Sequence, residues 1–139
     1  MNASHVAQLD ELGFDVGCHT MRHENLTSLT KNELEQEVQD SKDVIADTIG
    51  FAPQSFCYPF GGPRSRNERV MTAVEESGFT CAFTSGGGLN DRGTDRFALH
   101  RIHITEMPIS EFGARIRGRP RRLARLKTAA ARLKRLGRL

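Results

Sequence analysis

The run GFDVGCHTMRH, Gly13 to His23, reads as a short buried strand, Phe14 to Cys18, that opens directly into His19-Thr20-x-x-His23. Two imidazoles four positions apart lie on one face of a helical turn, close enough for both to bind one divalent ion. Neutral imidazole is the commonest metal-binding side chain, and the C-terminal end of a strand is where α/β proteins keep their sites. An isolated HxxxH is also compatible with two histidines that hydrogen-bond locally. The choice between the two falls to the flanking sequence.

Upstream, Val6, Leu9 and Leu12 recur at helical spacing and Gly13 follows, which predicts a helix from Ser4 to Leu12. Downstream, Thr30-x-x-Glu33 is a capping box, in which each side chain takes a free N–H at the start of a helix. That helix is expected to run to about Ile49, with Leu34, Val38, Ile45 and Ile49 on one stripe and Gly50 as its stop. Ser55 to Tyr58 predicts a short strand, ended by Pro59-Phe60-Gly61-Gly62-Pro63. A helix from about Asn67 to Ser77 would bury Val70, Met71 and Val74, with Phe79 to Thr84 as the next strand. Gly86-Gly87-Gly88 predicts a flexible loop, and no Lys-Ser/Thr pair follows that would make it a phosphate cradle. Phe97 to Ile104 closes the pattern as a strand, its apolar phase shifting between Leu99 and Ile102 as at a bulge. Strands alternating with helices predict a parallel α/β arrangement.

The 139 residues suit one small domain, and a 37% hydrophobic content is enough for one modest core. No apolar run is long enough to cross a bilayer. The first residues, MNASHVAQLDELGF, lack a basic region followed by an apolar one. No signal peptide is therefore read, and a cytoplasmic or membrane-peripheral location is expected. Cys18, Cys57 and Cys81 are an odd number without metal spacing, each in an apolar stretch, which predicts buried free thiols. The net charge of +3 hides an asymmetry: from Arg115 onward there are 11 Arg and Lys and no acid, leaving a body of charge −8. In that tail Leu123, Leu126, Ala130 and Leu133 recur at helical spacing. The tail could lie on an anionic membrane, pack back on the acidic body or stand as a solvated extension; without interleaved aromatics, nucleic acid is not an expected partner.

Taken together, His19-Thr20-x-x-His23, Asn25-Leu26-Thr27, a helix with Glu37 and Ser41-Lys42, Phe56-x-Tyr58-Pro59-Phe60-Gly61, Gly78-Phe79 and Leu99-x-Arg101-Ile102 resemble the polysaccharide deacetylase pattern (NodB homology, carbohydrate esterase family four). The resemblance covers about residues 4 to 105. It implies a (β/α) barrel, a divalent ion (zinc in the first place) held by His19 and His23, and removal of N- or O-acetyl groups from an oligo- or polysaccharide. The backbone N–H of Phe60 matches the position that donates to the oxyanion, and Tyr58, Pro59 and Gly61 match the substrate-facing turn. His100 and His103, on the last strand, are the candidates for the catalytic acid.

The departures are as informative. The family's T-F-D-D-G run supplies the general base and a third metal ligand, and no Asp-Asp pair occurs in this chain. Cys57 stands where many members carry an arginine, and the aspartate-rich fourth motif is not recognisable. The resulting expectation is an incomplete (β/α) barrel of the glycoside hydrolase/deacetylase type, lacking its first strand, over residues 1-112. A basic amphipathic helical tail would occupy 113-139. Activity would be impaired, with a non-catalytic remnant, a sugar-binding module or a fragment of a longer gene as the alternatives.

Overall fold

The computed structural model of the chain describes residues 2–117, which fall into two compact units divided between Arg101 and Ile102. The expectations for the basic tail beyond Arg117 lie outside the described residues.

In the first unit, helix α1 (Ala3–Glu11) starts at Asn2, whose side chain accepts from His5 N while the His5 ring takes the Asn2 N–H. No residue of α1 is fully buried, and Gly13 leaves it with φ 83°. Helix α2 (Lys31–Ile49) carries the expected capping box between Thr30 and Glu33 and ends on Gly50 at φ 86°, a left-handed conformation that suits glycine. Its buried stripe is Leu34, Glu37, Val38 and Ser41. Strand β1 (Ser55–Cys57) leads to helix α3 (Glu68–Glu76), capped by Asn67, and then to strand β2 (Cys81–Phe83).

Strands β1 and β2 pair in parallel, with Ser55 opposite Cys81, Phe56 opposite Ala82 and Cys57 opposite Phe83. On either side a single parallel bridge extends the sheet, Cys18 to Phe56 and Phe83 to Leu99. Four chain segments thus stand side by side in sequence order, which is the order of a parallel barrel or open α/β sheet. Helix α2 packs on α1 and on α3. The core gathers Cys18, Leu26, Leu34, Val38, Phe56, Tyr58, Val70, Val74, Phe79 and Phe97. Phe56 stands 5.4 Å from Tyr58 and 5.3 Å from Phe79, ring to ring, at separations typical of favourable aromatic pairs.

Three sequence expectations need correction. Phe14 to Cys18 is not a strand: Phe14 N remains bonded to Leu9 O as the exit from α1, and its side chain is exposed. Only Cys18 pairs, its N–H reaching Ser55 O at 2.9 Å and its carbonyl taking Cys57 N at 2.8 Å. Phe97 to Ile104 likewise contributes one bridge at Leu99, because Asp95 Oδ1 holds Phe97 N in a turn at 2.7 Å. The three cysteines are free, but only Cys18 is buried; Cys57 and Cys81 are half-buried.

The second unit contains helix α4 (Ile109–Ile116), entered from Pro108 and braced by Glu111 and Arg115 at 3.0 Å. The helical tail expected over 113-139 overlaps only the last turn of α4; the start at Ile109 was not anticipated, since Gly113 breaks the helical signal and the eight residues are short of a full periodic window. No helix of the described residues is long and apolar enough to cross a membrane.

Candidate metal and substrate site

His19 follows the Cys18 bridge, Pro59-Phe60-Gly61 follows β1, Ser85-Gly86 follows β2 and His100 follows the Leu99 bridge. Four loops therefore leave the same, C-terminal edge of parallel segments, where α/β proteins place ligands. Gly17 permits the first of these approaches, because a Cβ there would collide with the Ser55 side chain.

The histidine pair is not on a helix. Thr20 and His23 both have left-handed backbone, φ 66° and 58°, and the segment is a loop closed by His23 N donating to Thr20 Oγ1 at 3.0 Å. The expected helical turn is replaced because the backbone N–H groups of Met21 and Arg22 bond to the Glu37 carboxylate of α2, at 3.2 and 3.0 Å, instead of to the preceding chain. The other Glu37 oxygen pairs with Arg22 Nε at 2.6 Å. The loop still brings the rings together, 4.8 Å between centroids and edge-on at 75°. His19 and His23 are both exposed.

His19 Nδ1 lies 2.6 Å from the Cys57 carbonyl. A carbonyl only accepts, so Nδ1 carries the proton and Nε2 of neutral His19 keeps a free lone pair, the state a metal ligand needs. The donor chemistry thus fits a divalent ion at two positions. Among the described residues no group of three His, Cys, Asp or Glu is placed to hold one.

Phe60 sits over this pair, its ring 4.9 Å from that of His23 and largely exposed. Its backbone is left-handed, φ 61°, and Gly61 N turns back to Pro59 O at 2.6 Å. Among the described residues no acceptor partners the Phe60 N–H. Gly61 is required twice over: it too has φ 61°, and a Cβ would strike Ser85 N. Beside Phe60, a depression of about 250 Å³ is lined by Asn25, Gly62, Pro63, Arg64 and Ser65.

The remaining candidates are placed differently. Tyr58 does not face solvent: it is buried in the core, its hydroxyl donating to Phe97 O at 3.0 Å, and burial pushes its phenol pKa up. Pro59 is buried as well. His100 lies beneath the glycine loop, where a Cβ on Gly86 would come within 3.0 Å of its Nδ1. That nitrogen is buried with no partner among the described residues, while Asn90 brackets the His100 backbone. His103 belongs to the second unit, where its carbonyl accepts from Arg115. Burial pushes the Cys57 thiol pKa up, with Arg101 pulling the other way. Arg101 itself donates to Thr84 O at 2.8 Å. Glu37 was not singled out as a site residue from sequence, although a carboxylate on the apolar stripe of α2 was the available signal.

Residues 1–82, more than half of the chain, match the family model for polysaccharide deacetylase, and the chain belongs to that family. YxkH of Bacillus subtilis, a protein of the polysaccharide deacetylase class, is 29% identical over 110 residues, 78% of this chain and 38% of its own length. Chitin deacetylase 1 of Cryptococcus neoformans is 34% identical over 68 residues, 49% of this chain and 14% of that protein. Among solved structures, a polysaccharide deacetylase from Bacillus cereus superposes with a TM-score of 0.74 at 22% identity, covering 84% of this chain and 36% of that one. The Streptococcus pyogenes deacetylase PplD, solved with acetate, gives 0.70 at 19% identity over 75% of this chain and 45% of its own. These structures share the fold. The chain spans less than half the length of each of these proteins.

Proposed function

We propose that this chain carries the metal-holding and oxyanion-binding side of a carbohydrate deacetylase site, acting on N-acetyl (or O-acetyl) groups of an oligo- or polysaccharide. One observation carries the reading: His19 and His23 stand ring to ring, with His19 Nε2 freed by the Cys57 carbonyl and Phe60 against His23. His19 and His23 would hold the divalent ion, zinc in the first place. When bound, such an ion polarises the acetyl carbonyl and lowers the pKa of water. The chain's own part is to fix the two imidazoles and to present the Phe60 N–H to the oxyanion that develops as the carbonyl is attacked. Exposed Phe60 offers its ring to a sugar face. On this reading the parallel segments are an arc of a (β/α) barrel. Family membership supports the reaction class.

The adjacent aspartates that serve the family as base and third ligand occur nowhere in the 139 residues, so these residues alone turn over at or near background. The donor set of two among the described residues favours a second reading, a sugar-binding module on the same scaffold. Acetate release from N-acetylated chito-oligosaccharides in zinc separates the two. The deacetylase reading expects near-background release by the chain, a rise when a T-F-D-D-G strand is joined upstream, and loss of that rise in His19→Ala. Release that never rises, with sugar binding retained, supports the module; a rise indifferent to His19→Ala removes the histidine pair from the chemistry.

A further inference from the structure

We propose that Glu37 is the positioning residue of the histidine pair: from the core face of α2 its carboxylate sets the spacing of the His19 and His23 rings and thereby their affinity for a divalent ion. The proposal rests on the reading of His19 and His23 as metal ligands. Three residues separate the histidines, and Glu37 holds two of them. The N–H groups of Met21 and Arg22 converge on one of its oxygens, a nest in which successive amides enclose an anion. Arg22 Nε closes on the other oxygen. The third spacer residue, Thr20, is β-branched and held at φ 66°, a conformation such residues rarely adopt and keep only where their surroundings impose it.

The source of that imposition is rigid. Glu37 is only 2% exposed and is flanked on its stripe by the fully buried Leu34 and Val38, so the carboxylate cannot follow the loop if the loop relaxes. The histidines themselves are exposed and have no comparable packing to orient them. His19 is tied by one bond to Cys57 O, and His23 by its N–H to Thr20 Oγ1. The Cys57 carbonyl and the Phe60 ring each touch one imidazole, so the spacing of the two rings is left to the loop between them and to Glu37, which touches neither ring. Such outer partners of metal ligands commonly govern affinity.

The test uses the full chain, with Glu37→Ala and Glu37→Asp, whose carboxylate stops one methylene short of the two N–H groups. Nuclear Overhauser contacts between the His19 and His23 rings are recorded without metal, and zinc is titrated by calorimetry at a temperature where circular dichroism shows the variants folded. The expected result is loss of the ring-to-ring contacts in both variants and zinc binding weaker by about 10- to 100-fold. A variant that melts lower but keeps both the contacts and the affinity overturns the proposal, since a purely structural role predicts that pattern. If Glu37→Ala does not fold, Glu37→Asp decides by the same criteria. A wild-type chain that binds zinc no better than His19→Ala/His23→Ala removes the metal reading itself, a failure visible separately from the contacts measured without metal.

Discussion

The Tyr58 hydroxyl, donating to Phe97 O over 3.0 Å inside the core, ties the end of β1 to the turn that precedes Leu99. Removing it leaves a buried carbonyl short of its partner, so Tyr58→Phe should lower stability by about 1 kcal/mol, read from denaturant unfolding at neutral pH. An unchanged or raised midpoint would show that the bond contributes nothing net. The residue also marks the limit of motif reading. Phe56-x-Tyr58-Pro59-Phe60-Gly61 is visible in the sequence, yet the tyrosine serves the core while Phe60, two positions on, turns outward with φ 61°. Residue types were legible because the chemistry demands them. The left-handed backbones of Thr20, His23 and Phe60 were not, because distant partners impose them: Glu37 on the first loop and Ser85 against Gly61.

Helix ends were the most legible elements, since caps are local chemistry. Asn67 before α3, the Thr30–Glu33 box before α2, and the stops at Gly50 and Gly78 all lie within a few residues of the ends they set. Strand lengths were not legible, because pairing depends on a neighbour far along the chain; Phe14 to Cys18 and Phe97 to Ile104 each shrank to one bridge. The α2 box carries a pH signature. Hydrogen bonds from the Thr30 hydroxyl and backbone N–H hold the Glu33 carboxyl below its usual value. With the folded pKa lowered, this contact stabilises the fold fully above the unfolded value near 4.5 and is lost as pH falls through the folded one. Glu33→Ala should therefore melt below wild type at neutral pH, with the gap narrowing in acid. A gap that does not change with pH would show that the ionised carboxylate adds nothing to the cap.

At the scale of the molecule, parallel segments in sequence order put His19, Phe60 and His100 at one sheet edge, and the family match covers the part that builds most of that edge. The alternation of helices and strands made this order legible. The separation of Ile102 and its successors into a second unit was not, since the apolar residues Ile102 and Ile104 read as a continuing strand. With two imidazoles as the donor set, zinc affinity should fall well short of that of a three-ligand site. The five histidines of the chain supply both the probe and its controls. Zinc added in sub-stoichiometric steps, followed through the imidazole proton and nitrogen resonances, should move or broaden the signals of His19 and His23 together while those of His5, His100 and His103 stay in place. Signals of His19 and His23 that remain fixed, or a response spread equally over all five rings, would contradict the account.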